Sequence, residues 1–230
     1  MIFVTGDTHG EQGRMLWLLR QEPLRSGDTL IVCGDFGYLF SGSEAEADFL
    51  DHLEQHPATI CFVDGNHENF PLISAFPEEV WNGGRIHRIR KNVIHLMRGQ
   101  VFTLEGRRFF TMGGAYSIDK YRREPGRSWW PEEIPTAEEF AEARRNLDDC
   151  GWQVDYVLSH TAPTKIVYFL GMRLRFSPDQ HDLALTEFLT EVWERLRFTR
   201  WYFGHFHEDM DPLPVYDEFS LLFQKVCRLP

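Results

Sequence analysis

Five stretches of the chain share one design: a short apolar run that breaks into a small residue and then delivers a metal-type ligand. They read IFVTGDTHG (residues 2–10), LIVCGDFG (30–37), ICFVDGNHE (60–68), YVLSHTAP (156–163) and WYFGHFHE (201–208). Each apolar run has the length of one buried strand. A strand that stops at Gly or Ser and then presents Asp, Asn or His sets that residue at the rim of a sheet. Five such strands assemble one site from residues far apart in sequence. The set Asp7, His9, Asp35, Asn66, His160, His205 and His207 suits two metal ions. A lone Asp-x-His is more often a turn or a helix cap, but five ordered clusters have no comparable structural explanation.

The segments between these strands predict the fold class. Met15, Leu16, Leu18 and Leu19 recur at helical spacing, so residues 11–21 read as an amphipathic helix ended by Pro23 and Gly27. Ser43 and Glu46 form a capping-box pattern that opens a helix to about residue 55. Strand, helix, strand, helix, strand implies parallel strands with right-handed crossovers. Residues 84–112 alternate short apolar runs with Asn92, Gly99 and Glu105-Gly106, which predicts hairpin strands. Thr136 and Glu139 open another helix, and a further helix covers about 181–196, with His181 and Asp182 at its start. Residues 213–226 read as a closing hairpin. No repeat or linker interrupts residues 1–230, so a single domain is expected.

Apolar residues make up 43% of the chain, which points to a globular protein, and the formal net charge of −11 argues against a diffuse basic surface for duplex nucleic acid. It leaves room for a small nucleotide, since two bound cations reverse the local charge. No signal-like leader and no apolar run near ~18 residues is visible, so no membrane is expected. Cys33, Cys61, Cys150 and Cys227 lack CxxC spacing, which favours free thiols and a cytoplasmic setting.

The ligand set constrains the chemistry. His205 and His207, at i and i+2, point the same way if extended, and Asp7 and His9 repeat the spacing. Mixed nitrogen and oxygen donors without a thiolate suit Mn²⁺, Fe or Zn²⁺ and argue against a structural zinc site. A two-metal centre holds its ions ~3.5–4 Å apart, generates hydroxide near neutral pH and clamps an in-line displacement at phosphorus. His67, beside Asn66, is the candidate general acid for the leaving oxygen.

The ordered motifs GDTHG, GDFG, GNHE, SH and GHFH resemble the calcineurin-like metallophosphoesterases from Asp7 to His207. The resemblance implies a four-layer α/β sandwich of two mixed β-sheets flanked by helices. It implies that Asp7, His9, Asp35 and His207 hold one divalent metal ion, and Asp35, Asn66, His160 and His205 the other. Mn²⁺ or Fe is the expected pair, with Zn²⁺ admissible, and His67 is the implied catalytic acid. The chain departs from the protein Ser/Thr phosphatases of this family, which carry GDxxDRG at the second motif. Here Asp35 is followed by Phe36, Gly37, Tyr38, Leu39 and Phe40, so the second Asp and the phosphate-gripping Arg are missing.

The long aperiodic segment 116–135 is the expected substitute, since loops of this length in a compact domain are usually functional or disordered. Arg122, Arg123 and Arg127 suit phosphate, and Trp129 or Trp130 could stack on a base; alternatively the Trp rings pin the loop and the Arg residues are solvated. Tyr116 and Asp119 are weaker candidates for the same entrance. His52, His56, His87, His95 and His181 read as structural. The expected function is hydrolysis of a small phosphorylated substrate by a dinuclear metal-dependent phosphoesterase. The alternatives are a nucleotide pyrophosphohydrolase or cyclic-nucleotide phosphodiesterase on the same site, and a non-enzymatic binding module. The last predicts broken ligands, and here all seven ligands and His67 are present.

Overall fold

The computed structural model describes residues 1–21, 24–179, 181 and 183–230, with the backbone alone for Gln21. The first half runs β1 (Ile2–Thr5), α1 (Gln12–Gln21), β2 (Thr29–Cys33), α2 (Glu44–Glu54), β3 (Thr59–Val63), α3 (Phe70–Ser74), β4 (Glu78–Trp81), β5 (Gly84–Arg88) and β6 (Val93–Leu96). The second runs β7 (Val101–Leu104), β8 (Arg107–Met112), α4 (Ala137–Asp149), β9 (Tyr156–Ser159), α5 (Thr164–Leu174), α6 (Leu183–Arg195), β10 (Arg200–Phe203), β11 (Phe219–Leu221) and β12 (Cys227–Arg228).

β1, β2 and β3 are parallel neighbours, as the crossover pattern predicts. They belong to a seven-stranded sheet ordered β12-β1-β2-β3-β6-β5-β4, and the other five strands form a second sheet ordered β11-β10-β9-β8-β7. Both sheets are mixed: β5 and β6 pair antiparallel while β6 lies parallel to β3. The β7–β8 hairpin is antiparallel while β8 lies parallel to β9.

Strand periodicity explains how the layers stack. On β9, Tyr156 and Leu158 face the space between the sheets, where they meet Ile31, Val63 and Leu96 of the first sheet. Val157 between them faces the other way, onto the helices α4, α5 and α6. The outer face of the first sheet carries Phe3, Val32 and Phe62 against Met15 of α1 and Phe49 and Leu50 of α2. The result is helices, sheet, sheet, helices, the four-layer α/β sandwich the resemblance implies. Among the described residues, no helix is long and apolar enough to cross a membrane. The four cysteines are free, and Cys33, Cys61 and Cys227 are buried.

The ends of the helices follow local chemistry. Thr136 and Glu139 cap α4 reciprocally. Ser43 accepts from the Glu46 amide, but Glu46 turns its carboxylate to the amides of Phe40, Ser41 and Gly42. That carboxylate therefore ties down the loop after the second motif and leaves the predicted box half-formed. Pro23 and Asp182, expected to end one helix and open another, lie outside the described residues.

Several elements, α3 among them, differ from the sequence reading. The tail is not a hairpin: β11 joins β10 in the second sheet and β12 joins β1 in the first. Each of these short strands pairs with an existing edge, which satisfies more backbone than pairing with each other would. α5 was not anticipated, because exposed Tyr168 and Met172 mask a stripe of buried Ile166, Val167 and Leu170 within one apolar run. β4 was also missed; its exposed, charged pattern fits an edge strand.

Candidate metal centre

The strands of both sheets end on one rim, and the loops that leave them bring the predicted residues together. Asp7 follows β1, Asp35 follows β2, Asn66 follows β3, His160 follows β9, and His205 and His207 follow β10. Asp7, His9, Asp35 and His207 offer ligand atoms within 4.8 Å of one another. His207 Nε2 lies 3.1 Å from Asp7 Oδ2, and His9 lies 3.7 Å from both Asp7 and Asp35. The remaining predicted residues gather on the other side of Asp35. His160 Nε2 is 3.4 Å from Asp35 Oδ1 and 3.0 Å from Asn66 Oδ1, and the His205 ring centre is 5.0 Å from that of His160.

Backbone geometry pays for this convergence. Four of the seven predicted ligands sit at positive φ: His9 at 49°, Asp35 at 48°, His205 at 72° and His207 at 52°. Non-glycine residues avoid this region, and such strain concentrates at functional sites. It also corrects the i, i+2 reading. His205 and His207 are not extended, so their rings diverge, one beside His160 and the other beside Asp7 and His9. Small residues before the ligands allow close approach. A Cβ on Gly34 would sit 2.1 Å from His160 Nδ1, and one on Gly204 would sit 2.1 Å from Asp7 Oδ1.

The neighbouring hydrogen bonds aim each donor. His160 Nδ1 donates to the Cys33 carbonyl at 2.8 Å, which turns Nε2 toward Asp35 and Asn66. Asn66 Nδ2 donates to Ser117 Oγ at 3.0 Å, so its oxygen faces the cluster. The His67 amide donates to Asp35 Oδ1 at 2.8 Å and the His205 amide to Asp7 Oδ1 at 3.0 Å. Asp7 Oδ2 is buried and makes no hydrogen bond.

Electrostatically the cluster relies on imidazoles alone. Asp7 and Asp35 are buried, and among the described residues neither pairs with Lys or Arg. Burial alone would raise both carboxyls, but the surrounding imidazoles hold them low. Burial would likewise lower His160, yet the charges of Asp35 and Asp7 push it up to about 10. His205 is held down to about 3 by burial and by His160. His9 Nε2 and His207 Nε2 face each other at 2.9 Å, where two lone pairs repel unless a proton or cation lies between them. Buried carboxylates, facing imidazole nitrogens and an orphaned Asp7 oxygen are the donor set a divalent cation satisfies.

The loop at the rim resolves the arginine question. Arg123 approaches the cluster, with Nη2 2.8–2.9 Å from the His67 ring nitrogens. Asp119 grips the same guanidinium at Nε and Nη2, at 2.8 and 2.9 Å. Arg123, held by Asp119, thus reaches the catalytic histidine candidate from this loop. Arg127 is 79% exposed and pairs with Glu124, and exposed Arg122 lies over Tyr121. Trp130 does not serve as a stacking platform: it is buried, edge-on to Phe40, and pins the loop. Trp129 lies beneath Lys120. Tyr116 stacks on His181 away from the cluster.

Sequence reasoning missed Ser117, Arg14 and Phe223. The Phe223 ring stacks on His207 with centroids 4.9 Å apart, and the Arg14 guanidinium covers its other face at 4.2 Å. Arg14 also donates to the Phe223 carbonyl. No spacing rule could reveal a contact across so much sequence.

A two-sheet sandwich with a carboxylate–imidazole cluster on its strand ends suits a metal-dependent phosphoesterase. The family model for calcineurin-like phosphoesterases matches residues 1–209, and the chain belongs to that family. Among solved structures, it is similar to a phosphopantetheinyl hydrolase from Mycobacterium tuberculosis, at 17% identity and a TM-score of 0.45, over 96% of this chain and 89% of that one. It is also similar to a protein serine/threonine phosphatase from Saccharomyces cerevisiae, at 15% identity and a TM-score of 0.39, over 96% of this chain and 66% of that one. No curated protein matches the sequence significantly.

Proposed function

We propose that the chain is a dinuclear phosphoesterase. Asp7, His9, Asp35 and His207 would hold one divalent cation, and Asp35, Asn66, His160 and His205 the other. The observation that carries this reading is the buried Asp7–Asp35 pair, which lacks a permanent cation and is ringed by imidazoles. The mixed donors suit Mn²⁺ or Fe, with Zn²⁺ admissible. Such cations, when bound, supply Lewis acidity toward phosphoryl oxygens and a nucleophile usable at neutral pH.

The chain's own residues supply the rest. Asp35 orients His67 through the backbone amide. Arg123, fixed by Asp119, supplies a planar donor for a phosphate oxygen at the edge of that imidazole. Burial keeps His67 below its ordinary pKa; Asp35 opposes this and Arg123 adds to it. A phosphate that draws Arg123 off the ring raises the His67 pKa and lets it hand a proton to the leaving oxygen.

The test loads the protein with Mn²⁺, Fe²⁺ or Zn²⁺, counts metal per chain, and assays para-nitrophenyl phosphate and its bis-ester. Two metals and hydrolysis of at least one ester are expected. His67→Ala should keep its metal and lose about a hundredfold or more in kcat. Full turnover by that variant would remove His67 from the reaction.

A further inference from the structure

Arg122 and Arg127 play no part in the cluster, yet both line one groove of about 710 Å³ with Phe40, Ser41, Asn69 and Ser128. That volume is within the range of small-molecule sites, ~300–1,000 Å³. The groove shares the loop that carries Arg123 to His67. Asn69 lies two residues past His67, and the Ser128 carbonyl accepts from Arg123 Nη1 at 3.3 Å, the guanidinium that touches His67.

The two consecutive arginines are divided between the two places. Arg123 turns inward and is occupied by Asp119 and His67, whereas exposed Arg122 lies over the Tyr121 ring. Arg127 meets a single carboxylate, Glu124, at 3.2 Å. The loop that presents them is anchored. The Glu124 carbonyl accepts from the amides of Arg127, Ser128 and Trp129, the Glu124 amide donates to Ser128 Oγ, and Trp130 is buried. Glu124 lines the groove and pairs with Arg127, and the amides of Phe40 and Ser41 occupy the Glu46 carboxylate, so Arg122 is left without a carboxylate partner among the described residues.

We propose that this groove binds a second phosphate carried by the leaving group, so that the preferred substrates are bisphosphorylated small molecules. The inference rests on the phosphoesterase reading of the cluster. His67 marks the leaving-group side, Arg123 follows it, and the groove lies beyond. Water adds to the scissile phosphorus, the phosphorus–oxygen bond to the leaving group breaks, and that oxygen takes up a proton. The second phosphate stays intact on the product, held by Arg122 and Arg127 through charge-assisted hydrogen bonds.

The experiment compares adenosine 3′-monophosphate with adenosine 3′,5′-bisphosphate, and para-nitrophenyl phosphate as reference, on the Mn²⁺-loaded full chain. The wild type should show a KM for the bisphosphate at least about tenfold lower than for the monophosphate. Arg122→Ala with Arg127→Ala should raise the bisphosphate KM about tenfold more than the monophosphate KM, and Arg122→Glu with Arg127→Glu should raise it further. Circular dichroism checks that the exposed substitutions leave the fold intact. Equal KM values in the wild type, or variants that shift both substrates alike, overturn the second-phosphate site. Hydrolysis of para-nitrophenyl phosphate alone overturns it too while leaving the phosphoesterase reading standing. No hydrolysis of any of the three removes both.

Discussion

Two clusters of histidine and aspartate sit close together in this molecule, and they are built on opposite principles. One is the rim cluster of Asp7, His9, Asp35, His160, His205 and His207. The other is buried beneath it, where His87 on β5 and His95 on β6 stack with ring centres 5.3 Å apart and Nδ1 atoms 3.0 Å apart. There His95 Nε2 meets Asp64 Oδ1 at 3.2 Å, and Arg98 donates twice to Asp64 Oδ2, at 2.7 and 2.6 Å. None of these four residues has positive φ, and none leaves a buried polar atom without a hydrogen bond. The rim cluster has strained backbone, an orphaned oxygen and no permanent cation. The same residue types are structural where they satisfy one another and ligand-like where they do not.

The buried cluster still serves the rim. Asp64 precedes Gly65 and Asn66, and Arg98 Nη2 donates on to the Glu132 carbonyl at 2.8 Å. Glu133 next to it accepts from the Ser117 amide at 3.1 Å, and Ser117 orients Asn66. One ion pair therefore ties the Asn66 loop to the arginine loop.

The comparison breaks most readily at the shared carboxylate. Asp35→Asn should abolish full occupancy of both metals and reduce turnover by about a thousandfold or more, a transition-state loss near 4 kcal/mol. Two metals per chain at full occupancy in that variant, by elemental analysis, would end the bridging role. Next in size is Asp64→Ala, which leaves Arg98 buried without its counter-charge and should cost about 3–5 kcal/mol of folding stability. Denaturant melts read this loss, and protein that remains folded should still bind metal. A stability change below about 1 kcal/mol would mean the pair is more exposed to water than its geometry indicates.

The smallest effect is a pH dependence. Burial, and then the neighbouring His95, hold His87 down to about 4. In the unfolded chain a histidine takes up its proton near pH 6.5, so between about pH 6.5 and 4 the unfolded state binds more protons. Stability should fall as the pH drops through that window, by up to about 1.4 kcal/mol per unit. Denaturant melts of chelated protein at pH 7 and pH 5 measure this, and His87→Gln should reduce the difference while leaving the share of His205, which is held down to about 3. An equally steep fall in that variant would assign the acid lability elsewhere.

Much of this was legible in the sequence because buried parallel strands are short, apolar and abruptly ended. The five motifs located their own strands, and the Gly before Asp35 and before His205 announced the close approach that each loop requires. α5 was illegible because helix and strand look alike in an apolar run, and the tail was illegible because strands of two or three residues carry no periodicity. Asp64 and Arg98 escaped notice, and His95, read as structural, could not be matched to them. Their pairing depends on the β3–β6 neighbourhood, and nothing local distinguishes a buried, bonded His from a surface one.

What the sequence determined by itself is the inventory: which residue types stand at strand ends and in what order. What only the tertiary structure decided is which of those groups are left unsatisfied, and which arginine faces them. Arg122 and Arg123 are adjacent and chemically identical. One meets His67 and the other opens onto a groove because a loop pinned by Trp130 turns them in different directions. Sequence specifies chemistry, but direction is a property of packing.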